Sequence, residues 1–175
     1  INDLIIANNS NYALQYINDF KIDEFGNLFL AVDLIINSPF SISYGVLKIS
    51  NNGILINSFA NNGLYTTRFE SDLNRMEFPR RLLFQNDGKI VVVGFSDLIG
   101  VSNTKYISLR LNSNGVLDSS YGTSGKKSMQ FSTGPIDNVV NNAFILNDNS
   151  VYSFVNINGV YKNVKFLTDG NLDLS

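Results

Sequence analysis

At 175 residues the chain is long enough for one ordinary domain, which would bury roughly 70% of its unfolded surface. It has no His and no Cys, and its net charge is −2; disulfides, thiolate sites and an ordinary Ser-His-Asp triad are excluded from this segment, and the charge argues against a basic stripe for nucleic acid. Charged residues make up only 16%, so Asn and Ser supply most of the polar surface, and no apolar run reaches the roughly 18 residues of a membrane span.

In chain order, residues 2–7 (NDLIIA) form a short strand in register with LYTTRF at 64–69 and KKSMQF at 126–131. A polar connection leads to a hairpin in which Phe20 and Ile22 share one strand face. The hairpin recurs with Leu82 and Phe84, and again with Phe144 and Leu146. Its turns fall at residues 23–26, 85–88 and 147–150. Asp-Gly and its relatives supply the positive φ of tight hairpins, and Ser150 in the glycine position predicts a looser third turn. The second hairpin strand is an unbroken apolar run, residues 28–32 and 90–93, the mark of a strand covered on both faces.

Long loops are expected at residues 37–43 and 96–105, and one helical turn fits residues 72–78. The third strand alternates. Leu47 and Ile49, Leu109 and Leu111, Val164 and Phe166 point one way, and Lys48, Arg110 and Lys165 the other. Turns at Asn52-Gly53, Asn114-Gly115 and Asp169-Gly170 then lead into an L-D-x-S element containing Asp118 and Asp173.

The glycines set the period. Gly26 and Gly88, Gly53 and Gly115, Gly63 and Gly125 are each 62 residues apart, and Gly170 follows Gly115 by 55, so the third copy is 7 residues shorter. Repeat units run over residues 2–63, 64–125 and 126–175, the last truncated, which reads as a segment of a larger protein or one completed by a neighbouring chain. NDGKIVVVG at 86–94 and RLNSNGVLDSSYGTSG at 110–125, echoed at 47–63 and 164–175, resemble the delta-60 repeat family. That resemblance implies an all-β, β-propeller-like array of about three four-stranded blades. A β-solenoid is the rival architecture. The first copy departs from the pattern: Ile56 stands where Asp118 and Asp173 stand, and Ala60 takes the Gly122 position. Three blades are fewer than the 4 to 8 with which propellers typically close, so further blades or oligomerisation are expected.

Asp118 and Asp173 read as acceptors for nearby backbone N–H groups rather than as acid–base carboxylates. Residues 169–173 (DGNLD) lack the alternating acids and distal Glu of a calcium loop, and no catalytic residue, metal or cofactor is assigned. Tyr44, Tyr106 and Tyr161 lie four residues before Lys48, Arg110 and Lys165 on the same face. A row of tyrosines and cations can bind sugars or acidic groups by stacking and charge; an outward face whose long side chains cover the blade edge has the same spacing.

The expected function is a non-catalytic structural and recognition module in an exposed assembly, such as a phage tail fibre or receptor-binding protein. A secreted or cell-surface bacterial adhesin is the alternative, and a glycan-cleaving propeller enzyme ranks third. Partners would be other blades or chains of the same protein and a host-surface glycan or protein, with no nucleic acid and no membrane insertion. The location would be extracellular or the virion surface. Binding is expected on rim loops at residues 96–105 and 156–158.

Overall fold

Gly26, Gly53, Gly88, Gly115 and Gly170 stand at φ between 80° and 84°, so these turns form where the sequence places them. In the second hairpin the N–H of Gly88 donates to the carbonyl of Gln85 and that of Gln85 to Lys89, at 3.0 and 2.9 Å. The third turn corrects the expectation of looseness. Asn149 donates to Leu146 and Leu146 to Ser150 in the same pattern, and Asn149, at φ 64°, takes the glycine position. Asn tolerates the left-handed region better than most residues, so the turn stays tight. The third copy has lost one residue before this turn, and the rest in its shorter second hairpin.

The computed structural model describes residues 12–37, 40–72, 74–131, 139–157 and 159–175; the strand expected at residues 2–7 lies outside them. Strands β1 (Tyr12–Ile22), β2 (Leu28–Asn37), β3 (Phe40–Ile49) and β4 (Leu64–Thr67) form a first sheet in that order. A second sheet follows with β5 (Arg75–Phe84), β6 (Ile90–Leu98), β7 (Val101–Leu111) and β8 (Lys126–Met129). The third contains β9 (Val139–Ile145), β10 (Val151–Ile157) and β11 (Val160–Phe166), three strands among the described residues where four were expected. Every ladder is antiparallel and lies within one sheet. The short strand thus closes the sheet of the hairpin before it, a shift in phase from units drawn at the glycines.

Three local expectations give way. Residues 75–78 belong to β5 rather than to a helical turn, and the long loop expected at 96–105 is mostly strand, with β6 and β7 joined through Ile99 and Gly100. Polar side chains do not prevent pairing here: Ser96, opposite Lys105, is fully buried. In the first sheet, β3 likewise begins at Phe40, inside the expected loop at 37–43.

The apolar run of β6 is covered as expected. Ile90 and Val92, with Leu82, Ile107, Leu109 and Leu111, pack on Phe29, Ala31, Tyr44, Val46 and Phe59 of the first sheet. Val91 and Val93, with Leu83 and Tyr106, pack on Val140, Ala143, Val151, Val155 and Phe166 of the third. Each Val, Leu, Ile or Phe among them contributes roughly 1.5–3 kcal/mol when fully buried. The lost residue matters because a slip of one position reverses every side chain in a strand. Ala143, not Phe144, is the inward counterpart of Leu82, and Phe144 is turned outward at 42% exposure. Successive sheets are also tied by equivalent backbone bonds, Ala60 N–H to Asn114 and Gly122 N–H to Asp169. Ala60 adopts the left-handed conformation of Gly122, at φ 47° against 55°.

Between the first two sheets lies a buried carboxyl, Glu77, whose Oε1 accepts from the N–H groups of Phe69 and Glu70 at 2.7 and 3.2 Å. Burial pushes Glu77 from its ordinary 4.5 up to about 7, against those bonds and the charges of Arg68 and Lys126. Burial likewise raises Asp33 to about 6. A carboxyl with a raised folded pKa stabilises the fold below its unfolded pKa and loses that contribution as pH rises through the folded value. Thermal stability is therefore expected to fall between about pH 4.5 and 7. Glu77→Gln keeps the acceptor, so it should flatten that slope and recover roughly 3 kcal/mol above neutrality. Melting curves from pH 4 to 8 check this; an unchanged slope in Glu77→Gln would assign the pH dependence elsewhere.

Candidate functional site

The tyrosine row is divided by the packing. Tyr44 and Tyr106 are fully buried. Tyr44 meets the Phe69 ring edge-on at 5.3 Å, and Tyr106 stacks on Phe166 with centroids 4.4 Å apart. Tyr161, at the same repeat position, is 67% exposed. All three lie on the face that the following sheet covers, and no further sheet follows the third among the described residues. The cations of the row are engaged. Lys48 pairs with Asp23 at 3.7 Å and lies over the Phe29 ring at 4.7 Å. Arg110 binds Asp118 and Ser120 at 2.9 Å each, and it reaches across to the carbonyl of Thr168. Lys165 pairs with Asp173 at 3.2 Å. The ligand-facing reading is thus corrected for Tyr44, Tyr106 and Arg110, which sit in the interior because neighbouring sheets cover them. Tyr161 and Lys165 stay on an open face.

The repeated Asp does the backbone work read from its spacing. Asp118 Oδ1 accepts from the N–H and hydroxyl of Ser120, and Asp173 Oδ1 accepts from those of Ser175. Burial alone would raise Asp118, but its bonds to Ser120 and Lys89 and the charge of Arg110 hold it well below the usual carboxylate range. The hydroxyl and N–H of Ser175, with Lys165, bring Asp173 down to about 2.

Two grooves of about 370 Å³ open between hairpin tips, one between the first and second sheets and one between the second and third. They are equivalent by repeat, yet differently filled. The second groove is polar and laced: Gln85 Nε2 donates to the Asn149 carbonyl, the Asn86 N–H to Asn149 Oδ1, and Arg110 to Thr168. Among the described residues no side-chain hydrogen bond crosses the first groove. It is floored by Phe29 and Phe84, in edge contact at 5.1 Å, and rimmed by Phe25, Lys48, Asn86 and Ser113.

Phe25 occupies the position of Asp87 and Asp148, whose carboxylates accept the N–H two residues on. In the first hairpin Asp23 takes over, accepting from the N–H groups of Phe25 and Asn27 and from the Asn27 amide. The turn does not need the Phe25 side chain, which stands 74% exposed.

A third polar feature lines the first strands. Bulges leave Asn18, Arg80 and Asn141 unpaired at equivalent positions of β1, β5 and β9. Arg80 donates to Asn18 Oδ1, Arg81 to Asn142 Oδ1, and the Leu82 N–H to Asp19 Oδ2, all at 2.8 Å. The bulges were hidden in the sequence because period-two reading assumes an unbroken ladder. The Phe25 substitution was visible in the aligned turns, but the fate of its side chain was not. The rim expected at 96–105 is strand apart from the turn at Ile99 and Gly100, and of 156–158, residue 158 lies outside the described residues.

Residues 85–121 match the model of a family described as a domain of unknown function (DUF5122) β-propeller. They run from the β5–β6 turn to Tyr121, within the most regular copy. With the three antiparallel sheets, this match supports a β-propeller-like repeat. No curated protein matches the chain.

Proposed function

We propose that the chain is a non-catalytic structural and recognition segment, a set of β-propeller-like blades in an exposed assembly such as a phage tail fibre or receptor-binding protein, at the extracellular or virion surface. The observation that carries the reading is the first groove. There a repeat position that elsewhere holds a turn-forming Asp holds Phe25, and that aromatic side chain faces solvent. A large apolar side chain released from structural duty at a rim is suited to contact a partner.

The open face of the third sheet points to how the segment is held. Phe144, Tyr152 and Phe154 form an aromatic cluster there, with centroids 5.4 to 6.0 Å apart, on the side that a following blade covers in the other two sheets. Other blades or chains of the same protein are its natural partners.

Light scattering on the full chain, together with binding of the fluorescently labelled chain to intact cells, tests both parts. A trimer or larger assembly that binds bacterial cells saturably supports the fibre. A monomer that binds animal cells saturably supports the adhesin. No saturable binding to either cell type overturns recognition.

A further inference from the structure

We infer that the groove between the first and second sheets is a binding site for a neutral saccharide, an assignment that rests on the recognition reading above. The two grooves differ in what spans them. In the second, the cation of the repeat is held by Asp118 and spends another hydrogen bond on the Thr168 carbonyl, which bridges the groove. In the first, Ile56 stands in place of that Asp; Lys48 leans back onto Asp23 and the Phe29 ring, and among the described residues no side-chain hydrogen bond joins it to Ser113, the counterpart of Thr168. Two departures from the repeat, Ile56 and Phe25, therefore act in one place. One withdraws the bridge and the other adds an aromatic wall.

The chemistry of the lining selects the ligand. Phe25, exposed, and Phe84, half-buried, offer apolar ring surface suited to the C–H face of a pyranose, above a floor of buried Phe29. Around it stand a cationic donor, Lys48, the carboxylate acceptors Asp23 and Glu24, the Asn86 amide, whose Nδ2 also donates to the Asn147 carbonyl, and the Ser113 hydroxyl, which can donate or accept. Hydroxyl groups donate and accept, so a sugar ring satisfies this mixed rim. A purely apolar side chain would desolvate Lys48 and Asp23 without return. With two carboxylates against one ammonium the groove is net negative, which disfavours acidic ligands.

The test is a ¹⁵N–¹H NMR titration of the full chain with the methyl glycosides of glucose, galactose, mannose and N-acetylglucosamine, repeated on Phe25→Ala and Lys48→Met. Phe25 is exposed and its turn is held by Asp23, so Phe25→Ala should keep the wild-type spectrum elsewhere. The expected result is saturable shifts confined to the amides of Phe25, Lys48, Gln85, Asn86 and Ser113 with at least one glycoside, weakened roughly tenfold in Phe25→Ala. No saturable shift with any of the four, shifts centred elsewhere, or equal affinity in Phe25→Ala would overturn the assignment. Cell binding that persists while the glycosides fail would sink the saccharide and leave recognition standing.

Discussion

Tyr106→Ala is expected to cost about 3–5 kcal/mol, and Tyr161→Ala less than about 0.5 kcal/mol. The two residues hold the same position in the repeat and differ only in what lies over them. Tyr106 is enclosed between the second and third sheets and stacked on Phe166 at 4.4 Å. Removing it leaves a cavity that the close-packed sheets can fill only in part. Tyr161 is 67% exposed on the third sheet, so its loss removes little buried surface. Urea unfolding of the two variants beside the parent chain decides the matter. Equal losses would mean that the third sheet's open face is covered in solution, and a negligible loss at Tyr106 would contradict the packing of the second sheet on the third.

Val92→Asp is expected to unfold the chain at ambient temperature. Val92 is fully buried among Phe29, Leu82 and Leu109, and a carboxylate there has no cation beside it. Burying an unpaired charge costs several kcal/mol, or forces protonation that still leaves an unsatisfied polar group. That loss is comparable with the whole stability of a domain this size. Val116→Asp is the control, since Val116 is 55% exposed next to the Gly115 turn, and it should leave the melting temperature within a few degrees of wild type. Circular dichroism at 25 °C, followed by a thermal scan, separates the outcomes. A folded Val92→Asp with wild-type melting would show that β6 is not covered on its first-sheet face.

Much of the fold was legible because it is written locally and repeated. Gly26, Gly88, Gly53, Gly115 and Gly170 mark turns whose backbone demands positive φ, and such a demand is read directly from residue type. The unbroken apolar run at residues 90–93 showed that both faces of that strand are covered, and both are. The spacing of Asp118 from its turn showed an acceptor for local N–H groups, and Ser120 supplies the donor. The third turn was misread because a fixed period was carried across a deletion; a single missing residue moves Asn149 into the glycine position and makes Phe144 the counterpart of Leu83 rather than of Leu82.

The candidate site was less legible. The tyrosine and cation row was correctly placed on one strand face, yet face and exposure are different properties. Leu82 is fully buried, while Phe20, its counterpart in the first sheet, is 57% exposed; the residue pattern is the same and the neighbouring sheet is not. The bulges at Asn18, Arg80 and Asn141 break the period from which such faces are read. The first groove needs Phe25, Phe29 and Lys48 from one sheet and Phe84, Asn86 and Ser113 from another, a meeting that no spacing along the chain encodes.

The sequence by itself determined the strands, their turns and the alternation of faces, because φ preferences and the two-residue period act between neighbours in the chain. The tertiary structure alone decided which of those faces became interior, which cations became clamps and where a groove stayed open. Burial depends on contacts between residues about sixty positions apart, and a copy at the end of a stack meets a different environment from the same residues in its middle.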